Sequence, residues 1–138
     1  MKTACLLASA LWLVATPPVS AQDGCAVVEV QNLRPRQGHL MLAAYGSAEQ
    51  FRKTPLTQLR LPAADGTMRV QLCGLAGRAE VALVLFQDLD SDGRLATSLL
   101  GLPTEPWGSS GTAGSLGPSW ERGRVRLDGS VIVVRLSA

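Results

Sequence analysis

A two-sheet all-β sandwich, immunoglobulin-like or transthyretin-like and of about seven strands, is the fold this chain predicts. Three observations carry that expectation. Apolar residues alternate with period two along most of the sequence. No stretch of ten or more residues shows a helical stripe. Gly, Pro, Asn and Asp interrupt the alternation at short intervals. A small closed barrel is the alternative way to bury the same strands. The chain has 138 residues, 46% of them hydrophobic and 17% charged, which suits one globular core and excludes disordered, collagenous and coiled-coil classes.

The elements follow in order. Residues 26–33 are rich in β-branched side chains, with Val28 and Val30 on one face and Val27, Glu29 and Gln31 on the other. Pro35 and Gly38 mark a turn. In residues 38–45, Leu40, Leu42 and Ala44 share one face, while His39, Met41, Ala43 and Tyr45 share the opposite one. Ser47-Ala48-Glu49-Gln50 has the form of a capping box, so one helical turn is expected over residues 48–53 before Pro55 stops it. Residues 56–61 and 67–73 alternate on either side of Pro62-Ala63-Ala64-Asp65-Gly66 and read as a hairpin. Residues 79–87 are apolar at almost every position, as expected of a central strand covered on both sides. Residues 124–127 and 130–136 flank Asp128-Gly129 and read as a second hairpin, closed by a type I′ turn.

The N-terminus has the layout of a secretory leader. Lys2 precedes an apolar run over residues 4–15, and small residues Val19-Ser20-Ala21 supply a cleavage site after Ala21. As a helix the run rises only about 18 Å against a hydrocarbon core of about 30 Å, so no membrane span is expected once the leader is cleaved. The expected organisation is a signal peptide at 1–21, then one sandwich domain at 22–138 with a long loop at 88–122, in a periplasmic or secreted protein. Removing the leader takes Cys5 with it, and an even pair in an oxidising compartment predicts a Cys25–Cys73 disulfide.

A formal net charge of +2 is far below what phosphate-backbone recognition needs, so nucleic acid is not an expected partner. One histidine and three cysteines are too few for the usual zinc, haem or iron–sulfur sites. Oxygen-ligated cations remain open. The long loop begins Asp88-Leu89-Asp90-Ser91-Asp92-Gly93, three carboxylates at alternate positions and a glycine, like the front half of a calcium loop. Ala96 and Leu99 stand at its ninth and twelfth positions, where a helix–loop–helix calcium site needs further ligands. The loop is therefore either a calcium site formed by Asp88, Asp90 and Asp92 with the backbone oxygen of Arg94, or a turn whose carboxylates accept backbone hydrogen bonds.

Residues 101–119 are dominated by Gly, Pro, Ser and Thr, and Trp107 and Trp120 sit at either end of the flexible stretch. The indoles either pin the loop to the sandwich or offer flat apolar faces to a glycan or peptide. With Glu105 they are the candidate ligand-binding residues. Ser109, Ser110 and Ser115 lack the spacing of a nucleophile elbow, and His39 has no neighbouring acid in sequence. A non-catalytic binding or structural module of the bacterial cell envelope is the expected function, its partner an envelope protein or a glycan. The alternative is an extracellular glycan hydrolase using Asp88 or Asp92 with Glu105.

From about Val27 to Leu136 the arrangement resembles domain-of-unknown-function family 2141, small exported bacterial proteins. The resemblance rests on Gly38 to Tyr45 followed by Ser47-Ala48-Glu49 and Phe51, on Phe86-Gln87-Asp88-Leu89-Asp90-Ser91-Asp92-Gly93-Arg94-Leu95, on Leu100 to Glu105, on Trp107-Gly108 and on Gly117-Pro118-Ser119-Trp120-Glu121. Members typically carry another Asp where this chain has Ala96 and a Phe-Ser-Asn-like run where it has Ser109-Ser110-Gly111. The resemblance implies export and a β-sandwich, and brings no activity with it.

Overall fold

The computed structural model describes residues 24–112 and 117–137. The leader and its cleavage after Ala21 lie outside these residues, as does Ser115. The strands are β1 (Cys25–Gln31), β2 (His39–Tyr45), β3 (Thr57–Pro62), β4 (Thr67–Cys73), β5 (Glu80–Asp88), β6 (Trp107–Ser109), β7 (Arg124–Arg126) and β8 (Ile132–Arg135), with a single helical turn α1 (Trp120–Gly123) before β7. They form a three-stranded sheet in the order β4-β1-β8 and a five-stranded sheet in the order β3-β2-β5-β6, with β7 also paired to β5. The protein is a β-sandwich. The expected helical turn near 48–53 is a run of turns, tied by the Gln50 N–H to Ser47 Oγ (3.3 Å) and the Lys53 N–H to the Gln50 carbonyl (2.9 Å).

Alternation decides what each sheet buries. Val28, Val30, Leu40, Leu42, Ala44, Val70, Leu72, Val81, Leu83, Leu85, Ile132 and Val134 all point between the sheets and are buried. Cys25 and Cys73 stand opposite each other at the end of the β1–β4 ladder and are disulfide-bonded. β5 is the innermost strand of its sheet, with β2 along one edge and both β6 and β7 along the other. β6 pairs with Val84–Phe86 and β7 with Glu80–Ala82, so two short strands share one edge end to end. On its outer face Val84 and Phe86 are only half-buried, so β5 is less fully covered than its composition predicts.

Neither expected hairpin forms. β3 pairs with β2 while β4 pairs with β1; likewise β7 pairs with β5 while β8 runs parallel to β1. Both connections cross from one sheet to the other. The physical reason lies at the turns. Residues 62–66 hydrogen-bond to the β1–β2 connection instead of closing a ladder: Leu33 N–H to the Gly66 carbonyl (2.9 Å), Arg36 N–H to Ala64 (3.0 Å) and Ala63 N–H to Gly38 (3.1 Å). Asp128-Gly129 does turn the chain, with Gly129 at φ +87 and Asp128 Oδ1 accepting the Ser130 N–H at 3.0 Å, but it turns it across the core.

Candidate metal centre

β5 delivers two buried polar residues at its C-terminal end, Gln87 and Asp88. The alternation that buries Val81, Leu83 and Leu85 also turns Gln87 inward, where an unpaired amide would be costly. Its Nε2 donates to the carbonyls of Arg34 and Gln37, both at 2.7 Å, and its Oε1 accepts the Arg34 N–H at 2.8 Å. The β1–β2 turn is thereby fastened to the start of the long loop. Gly38 makes the approach possible: its φ is +60, and a Cβ there would lie 1.9 Å from the Asp88 carbonyl oxygen.

Beyond Asp88 the chain curls around its own carboxylates. Asp88 Oδ2 accepts the Gly93 N–H at 2.8 Å, and Oδ1 accepts the Asp92 N–H at 3.2 Å. Asp90 Oδ1 takes the same Asp92 N–H at 3.2 Å, while Asp92 Oδ1 accepts the Arg94 N–H at 2.8 Å. Ser91 (φ +62) and Gly93 (φ +79) supply the left-handed angles this curl needs. From the far end of the loop the buried Glu105 reaches back, Oε1 accepting the Leu89 N–H at 2.8 Å and Oε2 the Ala96 N–H at 2.9 Å. One oxygen from each of Asp88, Asp90 and Glu105 lies within 4.8 Å of the others. Among the described residues no ion pair neutralises any of the three.

This placement departs from the sequence in one respect. Asp88 and Asp90 come together as expected, but the third carboxylate is Glu105, with Asp92 turned to the Arg94 N–H. Arg94 enters as a backbone donor. Desolvation opposes ionisation of Asp88, but hydrogen bonds from the Gly93, Ser91 and Asp92 backbone and from Asp90 outweigh it and hold its carboxyl below the usual range. For Asp90 the Asp92 N–H favours the charged form; desolvation, the shared contact with Asp88 and the charges of Asp92 and Glu105 outweigh that and push its pKa up. The upward shift of Asp90 reflects the negative charges of Asp92 and Glu105 beside it.

The sequence from residue 28 to residue 134 matches the model of a bacterial family described as "Uncharacterized protein conserved in bacteria (DUF2141)". The chain belongs to domain-of-unknown-function family 2141. No curated protein and no solved structure matches it.

In this member of family 2141 the two tryptophans do not form one platform. Trp107 stands on β6 opposite Phe86, its carbonyl accepting the Ser137 N–H at 2.8 Å. Trp120 opens α1 and lines a separate hollow with Arg78, Glu80 and Arg126, at the other end of β5. Both are half-buried. Ser110 proves structural: its buried Oγ accepts the Leu83 N–H at 2.8 Å and donates to the Gly123 carbonyl. Sequence reasoning missed Gln87 and Ser110 as ties. A polar residue ending or following an otherwise apolar strand is the signal that marks such positions. His39 lies at the start of β2, half-buried, its Nδ1 3.1 Å from Ser91 Oγ.

Proposed function

We propose that this protein is an exported, non-catalytic binding module of the bacterial cell envelope, its long loop held in shape by a calcium ion at Asp88, Asp90 and Glu105. One observation carries the cation reading: three carboxylates converge within 4.8 Å from the two ends of one loop, two of them buried, and among the described residues no cationic side chain pairs with them. Crowded like charges repel, and a divalent cation offsets that repulsion. An all-oxygen donor set of irregular spacing suits calcium, which takes six to eight oxygens and leaves room here for backbone carbonyls and water. The export reading rests on the leader at residues 1–21, and the partner would be an envelope protein or a glycan.

The carboxylates' bonding speaks against the hydrolase alternative. Glycosidase carboxyls bracket a sugar about 5 to 9.5 Å apart, one of them free to deliver a proton. Here both oxygens of Asp88 and both of Glu105 already accept backbone N–H groups, which ties these acids to the loop's own backbone.

A melting experiment tests the proposal. Few charged ligands imply a dissociation constant of about 10⁻⁴ to 10⁻³ M, so calcium at several-fold excess stabilises the fold by roughly 1 kcal/mol. Millimolar calcium is expected to raise Tm by several degrees over chelator, as about 1 kcal/mol does in a domain of this size. Glu105→Gln is expected to remove the shift. A wild type that melts alike in both conditions would defeat the cation reading, and an exported product that retains Met1 would defeat the leader.

A further inference from the structure

The outermost part of the β5–β6 loop carries an anomaly of its own. Leu99 and Leu100 are 107% and 86% exposed, and Leu102 is 60% exposed. Single exposed leucines are ordinary, but three within four residues at a loop tip are not. The tip has a definite shape. Thr97 and Pro103 form a bridge, and the Ser98 N–H donates to the Leu102 carbonyl at 2.8 Å. The Gly101 N–H returns to the Ser98 carbonyl at 2.9 Å with Gly101 at φ +76, and the Thr104 N–H reaches Ala96 at 2.8 Å. The backbone bonds to itself while its leucines point outward.

We propose that the Leu99-Leu100-Gly101-Leu102 tip docks this protein on a lipid surface. Area and shape select that occupant. Three leucine side chains offer on the order of 300 Å² of apolar surface, well short of the roughly 800 Å² that each partner contributes to a stable protein interface. Leucines as exposed as Leu99 and Leu100 need a receptor hollow of matching form if a protein is to cover them, whereas a bilayer deforms to fit them. The tip's own hydrogen bonds lower the cost of bringing its backbone toward hydrocarbon. Beside Gly101 and Leu102, the exposed Arg52 and the half-buried Trp107 line one hollow. An arginine and an indole next to an apolar tip are the pair that suits the headgroup layer, with anionic phosphates meeting the guanidinium. The cation site lies at the base of the same loop, but the docking inference does not depend on it.

Cosedimentation with vesicles of phosphatidylethanolamine and phosphatidylglycerol, run in chelator on the protein recovered after export, tests this directly. The wild type is expected to sediment with the vesicles. Each leucine removed is expected to cost about tenfold in partitioning, so Leu99→Ser/Leu100→Ser falls about a hundredfold while melting at the wild-type temperature. In Leu100→Trp the added fluorescence is expected to shift to the blue when vesicles are present. The inference fails if the wild type stays in the supernatant, or if the double variant sediments equally well. It also fails if the wild type is a dimer that the double variant dissolves, because a second copy then covers the tip.

Discussion

Gln87 and Arg34 exchange two hydrogen bonds across 53 positions of sequence, the Gln87 amide accepting the Arg34 N–H at 2.8 Å and donating to the Arg34 carbonyl at 2.7 Å. A fully buried side chain thus stands in for a backbone ladder partner, at the point where the β1–β2 turn meets the loop bearing the carboxylates. Gln87→Leu keeps the bulk and strands three backbone groups, those of Arg34 and the Gln37 carbonyl. The expected loss is about 3 kcal/mol by denaturant titration. A variant within a few tenths of wild type would mean that water satisfies these groups.

The same junction depends on Gly38. A methyl group there would sit 1.9 Å from the Asp88 carbonyl oxygen, and φ is already +60. Gly77 has a similar φ of +73, but no atom lies within 4 Å of where its Cβ would stand. Gly77→Ala therefore isolates the backbone cost, about 1–2 kcal/mol. Gly38→Ala adds the forced separation of two chains, and a loss of about 4 kcal/mol or more is expected. Comparing the two unfolding curves measures the contact alone.

How far the sequence reaches is visible in these elements. Period two put Val28 with Val30, and Leu40 with Leu42 and Ala44, on shared strand faces, and the structure buries those faces in the core, because alternation is a property of a strand's two faces. It misjudged which strands pair. A hairpin and a connection crossing the sandwich both bring inward apolar residues together; they differ only in hydrogen-bond partners, which β3 and β4 find in β2 and β1. Asp88 and Asp90 were legible from local spacing. Glu105 was legible as a candidate ligand residue, but its meeting with them depends on the path of the whole loop, and so does the turning away of Asp92. Trp107 and Trp120, near one another in sequence, part because β6 and β7 take different stretches of one strand edge.

The disulfide joins residues 48 apart in sequence, each at an end of a paired strand. Its closure restricts the unfolded chain by an amount the loop-entropy model places at about 4 kcal/mol. Cys25→Ala/Cys73→Ala is expected to lose about that much in denaturant, and added reductant should bring the wild type to the same midpoint. A loss below about 1 kcal/mol would show that the β1–β4 ladder already limits the unfolded ensemble.

Glu29 gives a pH-dependent prediction at the surface. Hydrogen bonds from Gln31 and Arg69, then the Arg69 charge, outweigh desolvation and hold its carboxyl below the usual range. A depressed carboxylate pKa stabilises the fold above the unfolded-state value, and that contribution is lost as pH falls through the folded value. In Arg69→Met the Glu29 pKa, followed by carboxyl NMR, is expected to rise toward the ordinary range. The stability difference between wild type and variant should be present at neutral pH and vanish in acid. A Glu29 titration unchanged by the substitution would assign the shift to Gln31 alone.

Asp92 offers the sharpest test of the cation geometry, because sequence spacing and structure disagree on it. Alternate spacing gives Asp88, Asp90 and Asp92 equal standing as ligands; the fold groups Asp88 and Asp90 with Glu105 and gives the Asp92 oxygen to the Arg94 N–H at 2.8 Å. Asp92→Asn keeps a carbonyl oxygen able to accept that N–H and removes a charge near the cluster without removing a ligand. It is expected to retain most of the calcium-induced rise in Tm. Asp90→Asn removes a charged ligand whose pKa is already raised by its acidic neighbours, so its calcium-free form should be no less stable than wild type. With one carboxylate fewer, its calcium dissociation constant is expected to weaken by about tenfold or more. Asp90 is a ligand in both geometries, so melting curves over a calcium series separate the cases at Asp92 and Glu105: a shift lost in Asp92→Asn and kept in Glu105→Gln would restore the linear calcium loop, with Glu105 as a clamp on the Leu89 and Ala96 backbone.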